Sequence, residues 1–134
     1  MRIITFGDSH SEGRFGWQDV CQSLKVRHIP IHLGACLAYK VTHPRSSYHH
    51  ALDPQDGDIV VFCLGEIDLR VHICGQAERD ERLGLKLSDT VSALTKKYAR
   101  WVINIKDSCA TDARFVVYMP PPPCYTNSWK PPEV

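Results

Sequence analysis

The stretch ITFGDSHSEG, residues 4–13, decides the fold, because an apolar run stops there abruptly at a glycine. The β-branched and aromatic side chains before Gly7 predict a strand that is covered on both faces. Asp8, Ser9 and His10 follow the glycine at once, which is typical of a turn that leads from a strand toward a helix. The first strand therefore carries a polar loop at its carboxyl end.

Three further segments predict strands. Two are continuous apolar runs, IVVFCL at 59–64 and FVVYM at 115–119, as expected in a parallel sheet with both faces covered. The third, VRHIPIHL at 26–33, contains Pro30, which favours an edge position because proline cannot donate to a ladder. Together with RIITF at 2–6 they predict a sheet of about four strands.

Apolar residues recur at helical spacing between these strands. The spacing from Trp17 to Leu24 predicts one helix, and the spacing from Leu83 to Ile105 predicts a much longer one. The polar segment 42–57 predicts a loop or an irregular helix. Alternating strands and helices predict an α/β fold, a three-layer α/β/α sandwich on a mainly parallel sheet with right-handed crossovers.

Length and composition favour one domain that acts on a small molecule. Of the 134 residues we assign 1–119 to the domain and 120–134 to a proline-rich, extended tail. The chain has 16 lysines and arginines and 15 acidic residues, and no basic run stands out, so neither nucleic acid nor an anionic membrane is an expected partner.

No apolar stretch has membrane-spanning length, and the N-terminus lacks a secretory signal, so we expect a cytoplasmic protein.

The cysteines are expected to be free thiols, most of them buried. None of the six forms a CxxC pair, which makes zinc sites and disulfides poor interpretations, and we expect no metal site and no cofactor. They are Cys21, Cys36, Cys63, Cys74, Cys109 and Cys124.

Polar side chains collect where strands end. Residues 7–10 follow the first strand, and residues 65–72 (GEIDLRVH) follow the strand at 59–64. Ligands of open parallel sheets bind at the carboxyl ends of strands, so both loops should border one crevice. Gly34, after the second strand candidate, joins them there.

These motifs resemble the SGNH (GDSL-like) hydrolases. FGDSHS resembles block I of that superfamily, with Ser9 in the nucleophile position; Gly34 in HLGAC is similar to the block II glycine, and LGEID resembles block III. GEIDLRVHI is also similar to a branch in which GDSH is followed by Gly-Glu-Ile-Asp-x-Arg-x-His. The resemblance implies a flavodoxin-like fold and hydrolysis or transfer of acyl groups, from esters or O-acetylated sugars, with oxyanion donors on the Ser9 and Gly34 backbones.

The sequence departs from that pattern twice. Ile67 stands where block III has an asparagine, and losing one oxyanion donor typically costs about 10²–10³ in rate, although Arg70 or His72 could replace it. No Asp-x-x-His motif occurs, so the pattern is short at its C-terminal end and lacks the usual base. His72 is our first choice as base and His10 our second, since histidine titrates near neutral pH.

The remaining candidates have structural alternatives. Asp8 is expected to brace its loop, while Glu66, Asp68 and Arg70 are expected to form an ion-pair cluster that holds the loops or borders the substrate. Ser9 could instead cap a helix, and either histidine could be structural. The catalytic set is Ser9, His72, His10 and Arg70, and the oxyanion or substrate-binding set is Gly34, Asp8, Glu66 and Asp68.

Three functions remain open. The first is a serine esterase or acyltransferase that acts on a small ester, including O-acylated sugars, and whose unpaired sheet edge leaves room for a homo-oligomer. The second is a binding module or remnant that keeps the crevice without the chemistry. The third is a metal-dependent phosphoesterase with Asp8 and His10 as ligands, but Glu66 and Asp68 follow Gly65 by one and three residues, where that pattern needs one and four.

Overall fold

A computed structural model describes residues 1–13, 16–65, 67–68 and 72–118. Glu66, Arg70 and the predicted tail at 120–134 lie outside the described residues. The elements are β1 (Arg2–Gly7), a 3₁₀ helix (Ser9–Ser11), α1 (Trp17–Ser23), β2 (Arg27–His32), α2 (Ala38–Val41), a 3₁₀ helix (Tyr48–Ala51), β3 (Ile59–Cys63), α3 (Ile73–Glu81), α4 (Leu87–Ser108) and β4 (Arg114–Val117).

The four strands form one parallel sheet in the order β2-β1-β3-β4. All four predicted strands are present, and β2 is an edge strand, as Pro30 predicted. The chain passes from β1 to β2 on one side and then returns to β3 on the other side of β1. The carboxyl ends of β1 and β3 thus flank the point where the strand order reverses, where open α/β sheets bind ligands.

Apolar side chains alternate between the two faces of the sheet. Ile4, Phe6 and Phe62 pack on one face with Val102 and Ile105 of α4. This cluster includes edge-to-face contacts of Phe62 with Phe6 and Trp101, and burial of each large side chain contributes about 1.5–3 kcal/mol.

The opposite face holds a smaller cluster. Ile3, Val61 and Cys63 pack there with Cys21 of α1, and partly buried Trp17 closes the cluster. The predicted α/β class is confirmed, because helices pack against a parallel sheet.

The structure corrects the start of the long helix and adds two local findings. The long helix begins at Leu87 rather than at 83, because Leu83 is 77% exposed in a turn that Gly84 closes with φ +79°. The helix α3 lacks the apolar stripe that would have predicted it, and its side chains form no buried cluster. Cys74 on α3 is exposed, whereas the predicted burial holds for Cys21, Cys36 and Cys63, and all described cysteines are free thiols.

Among the described residues, none of the helices has both the length and the apolar character needed to cross a membrane.

Candidate functional site

The end of β1 lies against the end of β3 because residue 7 is glycine. A Cβ placed on Gly7 would lie 2.0 Å from the carbonyl oxygen of Cys63, so no other residue fits without moving the backbone. The next amide, that of Asp8, donates to the same carbonyl oxygen at 3.1 Å. This contact fixes the start of the polar turn over the carboxyl edge of the sheet.

Asp8 and His10 form a buried carboxylate–imidazole pair. Asp8 is fully buried, and its Oδ1 accepts from the backbone amide of His10 at 3.0 Å and contacts the ring Nδ1 at 2.9 Å. The second oxygen, Oδ2, is buried and has no hydrogen-bond partner among the described residues. The pair holds the His10 ring in a defined orientation, as an aspartate does in a catalytic triad.

Neighbouring side chains support this turn. Ser11 Oγ donates to the carbonyl oxygen of Asp8 at 2.8 Å, and Trp17 Nε1 donates to the carbonyl oxygen of His10 at 2.8 Å. Thr5 Oγ1 donates to the carbonyl oxygen of Ser11 and lies 2.8 Å from the ring Nε2 of His28. The backbone around the Asp8–His10 pair is therefore tied to both β1 and α1.

Ser9 is the first residue of the 3₁₀ helix and is partly exposed. The alternative that Ser9 caps this helix is wrong, because the Asp8 carboxylate occupies the cap position and binds the His10 amide. Within the described part of the chain, the Ser9 hydroxyl makes no hydrogen bond. The Ser9 hydroxyl is therefore not used by the cap, and a role as nucleophile would need a base brought within hydrogen-bond reach of it.

Gly34 lies in the adjacent loop after β2. Leu33 donates its amide to the carbonyl oxygen of Gly7 at 2.7 Å, which ties this loop to the end of β1. Gly34 has φ +71°, and no atom lies within 4 Å of the place where a Cβ would stand. The side of Gly34 on which a Cβ would stand is therefore open space, in a loop that is bonded to the end of β1.

Asp68 binds backbone rather than an ion-pair partner among the described residues. Its carboxylate is buried and accepts from the amides of Ala38 at 2.6 Å and Tyr39 at 3.2 Å, at the N-terminus of α2. A carboxylate in this position satisfies free amides of the helix and meets the positive end of its dipole. Asp68 therefore joins the loop after β3 to α2.

His72 caps the N-terminus of α3, and its side chain is exposed. It borders a cleft of about 370 Å³ between α2, α3 and α4, and Asp68 lies in the same wall. Ser9, His10 and Gly34 are not among the described residues that line this cleft. The structure thus separates the two candidate bases, one in the turn after β1 and one in the cleft.

Sequence reasoning missed most of the cleft. Asp80 of α3 accepts hydrogen bonds from Gln76 Nε2 at 2.8 Å and from Thr90 Oγ1 of α4 at 2.7 Å, and so joins the two helices. Lys97 of α4 lies 4.6 Å from the ring centroid of Tyr39. No apolar stripe marked α3, so its polar side chains carried no signal of a shared wall.

Buried ionisable groups indicate that the predicted loops converge. Burial, together with the nearby charge of Asp8, raises the pKa of Cys63 to about 12. Burial also raises the pKa of Tyr98 strongly, with contributions from Cys63, Asp8 and Asp68. Both carboxylates thus lie close to the same buried region, and neither the thiol of Cys63 nor the hydroxyl of Tyr98 ionises near neutral pH.

Among the described residues, no group of three or more histidine, cysteine or acidic side chains is arranged so that it could hold a metal ion. The predicted roles of Glu66 and Arg70 stay predictions.

Comparisons with protein-family models, with curated proteins and with solved structures found no match.

Proposed function

We propose that the protein is a serine esterase or acyltransferase of the SGNH type that acts on a small ester, including O-acylated sugars. The observation that carries the proposal is the buried Asp8 carboxylate, which holds the ring of His10, the residue after Ser9 in the chain, at 2.9 Å. A carboxylate, an imidazole and a serine at the carboxyl edge of a parallel sheet are the groups that acyl transfer requires.

His10 is a better base than His72 in this proposal. When Nδ1 donates to Asp8, the neutral ring has its lone pair on Nε2, which is the tautomer that accepts a proton from a serine. His72 is exposed at the start of α3 and lines the cleft without Ser9. We therefore propose His10 as the base in preference to His72, the reverse of the order expected from the sequence alone.

In the proposed reaction Ser9 Oγ attacks the ester carbonyl carbon while His10 takes the hydroxyl proton. The tetrahedral oxyanion accepts from the backbone N–H groups of Ser9 and Gly34, which donate no hydrogen bond to the described residues. His10 then returns the proton to the leaving alcohol as the C–O bond breaks. Water, or a second alcohol, releases the acyl group by the same steps, with Asp8 stabilising the imidazolium.

The wider setting of the proposal is a flavodoxin-like, three-layer α/β/α sandwich. The strand order β2-β1-β3-β4 and the packing of α1 and α4 on opposite faces support it. The free thiols Cys21, Cys36 and Cys63 fit a reducing, cytoplasmic compartment. The edge strands β2 and β4 offer the surface for the proposed homo-oligomer.

The proposal is tested first with a fluorophosphonate probe and intact mass. We expect one adduct on the wild-type chain, none on Ser9→Ala, and an unchanged adduct on Ser23→Ala, which removes an exposed serine of α1. His10→Gln should slow labelling about 10²-fold or more, whereas His72→Gln should label at the wild-type rate.

The same experiment can overturn the proposal. If the wild-type chain does not label while a catalytically complete serine esterase does, the hydrolase function is wrong. If His72→Gln slows labelling and His10→Gln does not, the serine is active but His72 is its base.

A binding module is the second candidate, favoured by the position of the 370 Å³ cleft. Its walls come from α2, α3 and α4 and leave out Ser9 and His10. A chain that fails to label, yet binds an O-acetylated monosaccharide with an affinity that Ser9→Ala leaves unchanged, would have this function if Arg79→Gln, at an arginine that lines the cleft, weakens the binding.

A further inference from the structure

A second groove, about 620 Å³ in volume, lies between the loop after α2 and the middle of α4. Lys96, Lys97 and Arg100 form the helix side of this groove, and His43 and His49 lie on the loop side. No acidic side chain is among its described lining residues. The esterase proposal uses none of these groups.

The charge of the groove is uncompensated. α4 has no acidic residue between Asp89 and Asp107, and the loop segment 42–52 has none either. Lys96 and Arg100 are four residues apart on one helix face, where like charges repel each other. None of the ion pairs in the described part of the chain involves Lys96, Lys97 or Arg100. A bound anion would relieve this repulsion.

Two polar atoms of the loop wall also lack partners. Ser46 Oγ and His49 Nδ1 are both buried and make no hydrogen bond with the described residues. Burying such atoms unpaired is unfavourable, and native structures leave few of them. Burial and the neighbouring His50 lower the pKa of His49, so its ring is neutral and can donate one N–H. Ser46 and His49 both border the groove.

The floor of the groove includes the half-buried ring of Trp101, and the volume exceeds what a phosphate ion alone needs. We propose that this groove binds a small organic phosphate, with Lys96 and Arg100 on its phosphoryl oxygens and its organic part against Trp101. An arginine beside lysines suits a phosphoryl group, because the guanidinium donates two parallel hydrogen bonds while each ammonium adds charge. The site is independent of Ser9.

Isothermal titration of the full chain at low ionic strength tests this site with three probes: pyrophosphate, ADP and adenosine. We expect saturable binding of pyrophosphate and ADP and none of adenosine. Arg100→Gln should raise the dissociation constant for ADP about tenfold, since it removes a charge-assisted hydrogen-bonding group. Lys106→Gln is the matched control, because it removes the same charge from α4 outside the groove and should leave that constant within about twofold.

Circular dichroism of each variant separates loss of binding from loss of fold. Arg100→Lys should keep the charge and lose part of the affinity. The proposal is overturned if neither phosphate probe binds saturably, if adenosine binds as tightly as ADP, or if Lys106→Gln weakens ADP as much as Arg100→Gln does.

Discussion

Two buried aspartates lie at opposite edges of the same sheet, and their surroundings differ. Asp58, before β3, accepts from the backbone amides of Arg2 and Gln55 and from two nitrogens of the Arg2 guanidinium. Asp8, after β1, accepts only from His10 among the described residues and leaves Oδ2 unpaired. Both are almost fully buried.

The difference separates a structural edge from a candidate functional one. At the amino edge, Arg2 holds the pKa of Asp58 down at about 2, and the carboxylate joins the starts of β1 and β3 through a closed network. At the carboxyl edge the pair is incomplete, and incompletely satisfied buried groups are common where ligands bind. The free energy of unfolding should therefore depend on Asp58, and the proposed acyl-transfer activity should depend on Asp8.

The largest effect should come from Gly7 at the carboxyl edge, with Gly57 at the amino edge as its comparison. Gly7→Ala places a methyl group 2.0 Å from the Cys63 carbonyl oxygen, so β1 and β3 must separate, and we expect more than about 4 kcal/mol of destabilisation. Gly57→Ala at the amino edge meets no atom within 4 Å and only strains a φ of +78°, so we expect about 1–2 kcal/mol.

Urea denaturation followed by circular dichroism measures both glycine variants. Equal losses for Gly7→Ala and Gly57→Ala would show that the two strand ends are not held as closely as the structure has them.

The aspartates themselves come next. Asp58→Ala leaves the Arg2 guanidinium and two amides without their acceptor, and we expect the free energy of unfolding to fall by about 3 kcal/mol. Asp8→Ala removes one cap but also a poorly satisfied buried carboxylate, so we expect a loss of about 1 kcal/mol or less.

Denaturation midpoints and the fluorophosphonate assay should then give opposite rankings for the two aspartate variants. Asp58→Ala should be the less stable protein and still label at low temperature, whereas Asp8→Ala should stay folded and lose labelling. A larger loss of stability in Asp8→Ala would contradict the comparison.

The smallest effect concerns pH. The pKa of Asp58 is about 2 in the folded chain and 3.8 without its partners, so its contribution is fully present above pH 4 and is lost as pH falls toward 2. Asp58→Asn should flatten the fall in unfolding free energy across that range. Urea titrations at pH 5, 4 and 3 measure the slope, and an unchanged slope in Asp58→Asn would mean that other carboxylates set the acid sensitivity.

Much of the fold was predictable from local patterns. The continuous apolar runs of β1 and β3 predicted strands covered on both faces, and Pro30 predicted the edge position of β2. The helix α3 was not predictable in the same way, because its residues form no buried stripe and Gly75 lies inside it.

The position of the candidate site at the carboxyl edge of the sheet was predictable from the sequence, whereas its side-chain contacts were not. Alternating strands and helices placed the Asp8–His10 turn, Gly34 and Asp68 at one edge, because parallel strands end together. Whether Asp8 binds the neighbouring His10, or Asp68 the amides of Ala38 and Tyr39, depends on side-chain positions that short sequence motifs do not encode.

The sequence by itself determined the strands and the polar loops that follow them, because hydrophobic period and turn chemistry are local properties. Only the tertiary structure decided the partners of Asp8 and Asp68, the wall that α3 and α4 share, and the basic groove. The groove arises because packing of α4 brings Lys96 and Arg100 next to a loop about fifty residues earlier, and a charge cluster of that kind is invisible in a chain with 16 basic and 15 acidic residues.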